Sequence, residues 1–210
     1  MISRQTGNFI KIFFVPLLLG CTLSGTGCAT LFGWDIHAPG ILSESFTHTI
    51  QPQKTRIALY LDPGTPKVIS KDRGSVLSDP QTYHLGEALY FMLIEGFQEG
   101  FEEFIFLEVE PTPGILKQYG IPYLASVAVT GFDNQKGKPL SRQVLTLTTN
   151  ISLYDADLKL VRQFEARGSS DTRKVFAKKG GPEVNLNAAI ESNVLTTIQF
   201  LQDVFTDPKI

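Results

Sequence analysis

The first thirty residues constrain this chain more than any other stretch, because they have the layout of an export signal. Two cations, Arg4 and Lys11, precede an apolar run, Ile12–Leu19, and small residues follow it. The apolar run is shorter than the roughly 20 residues of a membrane-spanning helix, and Pro16 interrupts it. We therefore expect residues 1–27 to be a signal peptide that is removed on export.

Two cysteines lie at the end of this signal, and the arrangement resembles that of bacterial lipoproteins, which are cut just before a cysteine that carries diacylglycerol. Cys28 follows the small residues Gly25-Thr-Gly, whereas Cys21 follows Leu18-Leu-Gly, in which Leu19 is bulky. We expect lipid attachment at Cys28, since the apolar region then has an ordinary length, with Cys21 as the alternative. A third interpretation is a cleaved secretory signal in which neither cysteine is modified.

The remaining sequence has the composition of one exported domain. The whole chain has 19 basic and 21 acidic residues, and removal of residues 1–27 leaves 17 and 21. Such mild acidity gives no general attraction to nucleic acid or anionic lipid. No cysteine follows Cys28, so an internal disulfide is excluded, and about 180 residues can bury a core without one. We expect a single domain over residues 55–210.

The segment between the cysteine and this domain, residues 28–54, is predicted to be a flexible tether. Proline and glycine interrupt it, and neither the strand period nor the helix period persists. Its apolar patch, Leu31–Trp34, could rest on the membrane interface or dock on the domain. We expect His37 and His48 to be solvated loop side chains, because no other metal ligand has a useful spacing.

Beyond residue 54, apolar residues recur with the period of strands in some stretches and of helices in others. The predicted elements are strands Thr55–Asp62 and Val68-Ile69, a helix ending at Gly100, strand Glu102–Glu110, a short helix within Thr112–Gly120, strands Tyr123–Phe132, Gln143–Tyr154 and Leu158–Gly168, and helix Leu186–Phe205. Without the short strand Val68-Ile69 and the short helix within Thr112–Gly120, the order is β-α-β-β-β-β-α. This order predicts an α+β fold, in which a mixed sheet of about five strands carries a long helix and a C-terminal helix.

Three details of these elements are more specific. Asp79 and Pro80 have the residue types of a helix start, and Gly100 could end that helix in a left-handed conformation. Glu102–Glu110 has apolar residues on both faces, which favours a central strand. Gln143–Tyr154 has one polar face, bearing Thr146, Thr148 and Asn150, and that face or an exposed strand edge is the expected docking surface.

Motifs for chemistry are sparse. The stretch from Gly131 to Lys138 lacks both the spacing and the final Ser or Thr of a phosphate-binding loop, and Asp155-Ala-Asp157 lacks the glycine and distal glutamate of a calcium loop. His84 is expected to be a surface or capping residue, because no nucleophile and orienting acid accompany it. The four glutamates after Gly100, at positions 102, 103, 108 and 110, are expected to be solvated. We expect no catalytic residue, metal ligand or cofactor.

One charge feature is distinctive. A basic loop is predicted at and beyond the end of the last strand, with Asp171 as the single acid among its five cations: Arg167, Arg173, Lys174, Lys178 and Lys179. They could contact an anionic partner, such as lipopolysaccharide phosphates, anionic headgroups or an acidic protein. The alternative is a solvated loop between hairpin and helix.

The layout resembles YajG-type lipoproteins and, more loosely, small accessory lipoproteins of envelope assembly. The similarity lies in Leu85-Gly-Glu-Ala-Leu-Tyr-Phe-Met-Leu93 leading to Gly100-Phe101, and in Asn187-Ala-Ala followed by Leu195 and Asp203. The resemblance implies a periplasm-facing protein that is anchored by acyl chains and binds another envelope component without catalysis. Ala29 after the cysteine implies outer-membrane sorting. The alternatives are a lipid-anchored hydrolase and a soluble periplasmic ligand-binding protein.

Overall fold

The protein is described from a computed structural model in residues 33–73, 79–136, 142–170, 173–174 and 181–206. These residues form strands and α-helices in the order β1 Trp34–His37, α1 Glu44–Thr49, β2 Gln53–Tyr60, β3 Ile69–Asp72, β4 Gln81–His84, α2 Leu85–Gly100, β5 Phe101–Leu107, α3 Pro113–Gln118, β6 Tyr123–Lys136, β7 Arg142–Asp155, β8 Leu160–Ser169, β9 Arg173–Lys174 and α4 Pro182–Thr206. None of these helices is long and apolar enough to cross a bilayer.

The larger sheet is mixed, which confirms the predicted α+β class. Its strand order is β5-β2-β6-β7-β8, and the short β9 pairs with β7. β2 runs parallel to both β5 and β6, whereas β6, β7 and β8 form an antiparallel series. The predicted alternation of β7 is present, because Leu145, Leu147, Thr149, Ile151 and Leu153 are buried while the residues between them are partly exposed.

β5 is an edge strand of this sheet, which differs from the central position predicted for Glu102–Glu110. Its two apolar faces have another cause. Phe104 and Phe106 pack on the main core below the helices, whereas Ile105 and Leu107 belong to a smaller cluster around Leu116 of α3. Helices on both sides therefore explain a pattern that resembles that of a central strand.

Two long helices, α2 and α4, cover one face of the larger sheet and approach each other closely. A Cβ atom placed on Gly96 would lie 2.6 Å from Val194 Cγ1, and one on Gly100 would lie 2.6 Å from Ile198 Cγ2. The prediction of a left-handed Gly100 is wrong, since Gly40 and Gly120 are the glycines of the described residues with positive φ. Gly100 instead gives room for α4.

A second sheet of three strands has the order β1-β4-β3. β4 occupies residues for which the sequence predicted the start of a helix, and α2 begins at Leu85, five residues after Pro80. Tyr83 of β4 is fully buried, and its strand pairs with β1 on one side and β3 on the other. Burial of this ring in a paired strand outweighs the local helix-start signal.

The N-terminal segment from Gly33 to Lys54 is packed against the domain, which differs from the flexible tether predicted for residues 28–54. Ile36 and Phe46 are each 1% exposed and belong to the main core. The Asn187 side chain of α4 accepts hydrogen bonds from the amides of Gly40 and Ile41 at 3.0 and 3.3 Å. It also donates to the Ile41 carbonyl at 2.9 Å, so an asparagine of α4 holds this segment in place.

A buried asparagine joins α4 to the middle of the larger sheet. Asn193 Nδ2 donates to the carbonyls of Leu147 and Ala166 at 3.2 and 3.0 Å, and its Oδ1 accepts from Thr149 Oγ1 at 2.9 Å. The helix lies so close that a Cβ atom on Gly168 would be 2.1 Å from the Asn193 amide nitrogen. Asn193 thus satisfies the buried polar groups that this close contact creates.

Replacement of Asn193 by alanine is expected to destabilise the fold by about 2–4 kcal/mol, because it leaves a buried hydroxyl and two carbonyls without their partner. Urea unfolding followed by circular dichroism measures this difference. Gln199→Ala, at an exposed position of the same helix, is the control and should change stability by less than about 0.5 kcal/mol. Equal effects of the two variants would contradict the role assigned to Asn193.

Candidate binding surface

The outward side chains of β6, β7 and β8 form a polar surface, here called the open face. It consists of side chains that alternate with the buried ones: Ser126, Ala128, Thr146, Thr148, Asn150, Ser152, Gln163, Glu165, Arg167 and Ser169. All of them are partly or largely exposed. Thr146, Thr148 and Asn150, the residues predicted for a docking surface, lie together along the middle strand of this face.

Hydrogen bonds between neighbouring strands order the open face. Thr146 Oγ1 lies 3.0 Å from Ser169 Oγ, and Gln163 Nε2 donates to Ser152 Oγ at 3.4 Å. Most of its side chains are short, so the surface follows the sheet closely. Each hydroxyl has one donor and two acceptor sites, and these bonds leave part of that capacity unused. The arrangement is suited to a partner that makes many polar contacts over a broad area.

The predicted basic set is only partly described. Arg167 lies on β8 within the open face, not in a loop, and its guanidinium is 2.7 Å from Glu165 Oε1. Arg173 and Lys174 form β9, which pairs with Arg142 and Gln143 of β7. Lys178 and Lys179 lie outside the described residues, as do Cys21 and Cys28, so an anionic partner and lipid attachment stay predictions.

Two histidines meet on the outer surface of the small sheet. The rings of His37 and His84 are stacked with centroids 3.9 Å apart. His37 Nδ1 lies 3.4 Å from Glu87 Oε2, and His84 Nε2 lies 3.4 Å from Asp35 Oδ1. His37 is therefore part of a strand and not the loop residue predicted. The described residues contain no group of three or more acidic, histidine or cysteine side chains that could hold a metal.

His84 occupies the N-cap position of α2 but makes no side-chain capping bond. It is partly exposed, as expected for a surface residue, and its polar neighbours in the described structure are an imidazole and a carboxylate. This arrangement orients the ring without placing a nucleophile beside it.

The glutamates near β5 do not converge on one point. Glu102 and Glu103 are consecutive strand residues, so their side chains point to opposite faces. Glu103 Oε2 accepts from Arg56 Nη1 at 3.2 Å, and Glu108 and Glu110 are exposed beyond the end of the strand. A catalytic carboxylate pair must flank one substrate bond with the two groups roughly 5–9.5 Å apart, which side chains on opposite faces of a sheet do not do.

The Asp155-Ala-Asp157 sequence forms the turn between β7 and β8. Asp155 Oδ1 accepts the backbone amides of Asp157 and Lys159, each at 2.9 Å. Leu158 has a positive φ of 59°, and Asp157 pairs with Lys117 of α3. The first aspartate is thus used to close the turn.

A buried polar network connects the two sheets, and the sequence analysis did not identify it. The Tyr83 hydroxyl donates to Gln81 Oε1 at 2.6 Å and accepts from Gln143 Nε2 at 2.7 Å and Asn134 Nδ2 at 3.0 Å. Asn134 Nδ2 also donates to Asp72 Oδ2 at 3.0 Å. The network therefore joins β3 and β4 of the small sheet to β6 and β7 of the large one.

Burial raises the pKa of the Tyr83 phenol to about 12; the hydrogen bond from Gln143 lowers it, and the nearby Asp72 charge raises it. Tyr83 and Gln143 are 0% and 2% exposed. Thr82 and Tyr83, two residue types that favour strands, were the available signal for β4. The amides that donate to Tyr83, those of Asn134 and Gln143, lie 51 and 60 residues away in sequence.

The comparisons with known proteins give structural similarity only. No protein-family model matches this chain, and no curated protein matches it. Among solved structures, PelC from Paraburkholderia phytofirmans, in a dodecamer, is 12% identical, with a TM-score of 0.40 and coverage of 78% of this chain and 93% of PelC.

Two other solved structures align with a similar share of this chain. Lipoprotein GNA1162 from Neisseria meningitidis is 10% identical, with a TM-score of 0.34 and coverage of 72% of this chain and 99% of that one. The hypothetical protein CT253 from Chlamydia trachomatis is 7% identical, with a TM-score of 0.38 and coverage of 73% and 94%. All three TM-scores are below 0.5.

Stability is expected to fall as pH rises from about 10 to about 12. The folded state holds the Tyr83 proton up to about pH 12, whereas the unfolded chain releases it near the ordinary value of 10.0. The protonated Tyr83 phenol therefore contributes its full stabilisation below the pKa of the unfolded chain. This stabilisation is lost as pH rises through the higher pKa of the folded protein. Urea unfolding at several pH values in this range should show that the free energy of unfolding falls less with pH in Tyr83→Phe than in the unchanged protein.

Tyr83→Phe is also expected to lower stability at neutral pH by about 1–3 kcal/mol, because it removes the group to which two buried amides donate. Tyr119→Phe, at an exposed tyrosine, is the matched control. A Tyr83→Phe protein with the stability and pH slope of the unchanged chain would contradict the network.

Proposed function

We propose that this chain is a lipoprotein of the bacterial cell envelope whose domain binds another envelope component through the open face. The observation that carries this proposal is the open face itself, because a broad area of short polar side chains remains exposed while helices cover the opposite side of the sheet. Envelope location is supported by the export signal that precedes the domain. The proposal includes no catalytic step.

The membrane anchor in this proposal is an acyl group on Cys28, with Cys21 as the alternative. Each buried CH₂ of an acyl chain contributes about 0.8 kcal/mol to membrane binding, and two chains make the anchor stable. Ala29 after Cys28 supports placement in the outer membrane, facing the periplasm. This part of the proposal rests on sequence, since both cysteines precede the described residues.

In this proposal, the packed N-terminal segment brings the domain close to an anchor at Cys28. Residues 29–32 alone separate Cys28 from Gly33, and an extended chain spans at most about 3.6 Å per residue, or roughly 20 Å here. Trp34, at the start of β1, is 60% exposed. An amphipathic ring at this point is suited to the membrane interface. In this proposal the small sheet therefore faces the membrane and the protein does not stand off on a long tether.

Attachment is tested by labelling the full-length protein in a Gram-negative host with an alkyne fatty acid. We expect label on the unchanged protein, loss of label in Cys28→Ser and retention in Cys21→Ser. The reverse result would move the anchor to Cys21. Retention in both variants, or a free amino terminus in mass spectra of the mature protein, would reject the anchor and favour a soluble periplasmic protein.

Binding through the open face is tested with a photo-crosslinking amino acid at Thr148 of the full-length protein in cells. We expect adducts with an envelope component at this position, because it lies in the middle of the open face. The same substitution at Gln199 of α4, which is more exposed than Thr148, is the control on the helix layer. Identical adducts at both positions, or none at Thr148, would contradict a specific role of the open face.

A further inference from the structure

The two edge strands of the larger sheet, β5 and β8, belong to stretches of sequence with opposite net charge. From Leu85 to Leu116, a stretch that includes α2 and β5, the sequence has seven glutamates and no lysine or arginine. From Lys159 to Lys174, a stretch that includes β8 and β9, it has five cations and two acidic residues. β5 and β8 are the two outermost strands of the β5-β2-β6-β7-β8 order, so opposite charge lies at opposite edges.

The edge at β5 has unpaired backbone and exposed acidic side chains. In the described part of the chain, no strand pairs with its outer side. Glu102 and Glu103 are exposed, and the three residues that follow them are half-buried, whereas Ile57–Leu59 of the neighbouring β2 are fully buried. Glu103 pairs with Arg56, but that ion pair is itself exposed. Phe91 of the adjacent α2 is 58% exposed, so apolar surface accompanies the acidic edge.

The edge at β8 is open over its first half. Near its end, Asn193 Nδ2 donates to the Ala166 carbonyl at 3.0 Å, and Thr196 Oγ1 lies 3.5 Å from the Arg167 carbonyl, so α4 reaches that part. The Phe164 ring stacks on Phe200 of α4, but among the described hydrogen bonds no α4 side chain bonds the backbone of Leu160–Glu165. Arg162 is exposed there, and Leu160 is 49% exposed.

We propose that these two edges bind each other between copies of this chain, with the basic β8 edge of one copy against the acidic β5 edge of the next. Unpaired edges readily add a strand from another molecule, and the backbone bonds so formed supply affinity. The opposite charges supply orientation and selectivity. The partner is therefore a second copy of this chain, and the contact is distinct from the open face.

The charges favour a head-to-tail contact over a two-fold one. Two-fold pairing would join two acidic β5 edges or two basic β8 edges, whereas a head-to-tail contact joins edges of opposite charge, which is the favourable arrangement. β5 and β8 run in the same direction, since β5, β2 and β6 are parallel and β7 is antiparallel to both β6 and β8. A head-to-tail contact would thus continue the sheet with parallel strands. Such contacts give rings or open chains, depending on the rotation between copies.

This inference goes beyond the proposed function and does not require a lipid anchor or a partner on the open face. It is tested with the full-length protein in mild detergent, by mass photometry and native mass spectrometry over a range of protein and salt concentrations. We expect species larger than a dimer at low salt, and their loss as salt screens the exposed charges. A monomer under all conditions, or a dimer that does not extend, would overturn the proposal.

Charge reversal tests the two edges separately. The pair Glu102→Lys and Glu103→Lys makes both edges basic, and the pair Lys159→Glu and Arg162→Glu, at exposed residues at the open start of β8, makes both acidic. Each double variant alone is expected to need at least about tenfold more protein for half-assembly, because like charges then face each other. A mixture of the two is expected to recover assembly into alternating copies, since each variant then meets the opposite charge.

Matched controls change the net charge equally at exposed positions away from both edges. They are Glu44→Lys with Asp79→Lys, and Lys67→Glu with Lys71→Glu, all at exposed sites. The controls should assemble like the unchanged protein, and circular dichroism melts should show that every variant is folded. Failure of the mixture to recover assembly, with both variants folded, would reject the edge contact whatever the outcome of the labelling and crosslinking tests.

Discussion

The close contact of α4 with the larger sheet and with α2 is the constraint on which the rest of the structure depends. Gly168 of β8 has no side chain at the point where the α4 backbone passes, and Asn193 bonds the polar groups that the contact buries. Gly96 and Gly100 give α4 similar room beside α2. Small residues at such positions bring backbones together, and the buried amide makes the alignment specific because an unpaired partner is costly.

This one-sided packing determines which surfaces remain for function. With both long helices on one face, the strands β6, β7 and β8 keep a polar outer face, and the sheet keeps two open edges. The N-terminal segment is held to α4 by Asn187, so the chain before Gly33 leaves from the folded domain. The open face and the charged edges therefore have fixed positions relative to Gly33, where the described chain begins.

Much of the fold could be predicted because its signals are local. The alternation in Gln143–Tyr154 and the stripe of apolar residues in Leu186–Phe205 depend on neighbours within one element, and both elements are present. Predictions differed from the structure where the deciding partner is distant. β4 is held by a tyrosine that bonds β6 and β7, and β5 has two apolar faces because α2 and α3 lie on opposite sides of it. The open face was predicted from β7 alone, whereas the residues it gains from β6 and β8 required the strand register.

By itself, the sequence determined the α+β class and the polar face of one strand, because both depend on the order of nearby residues. It also predicts the export signal and the candidate cysteines. The tertiary structure alone decided that the segment after Gly33 is packed, that His37 stacks on His84 and that Tyr83 joins two sheets. It also placed the acidic and basic stretches at opposite edges of one sheet. These features depend on strand order and helix position, which bring together residues that are far apart in the chain.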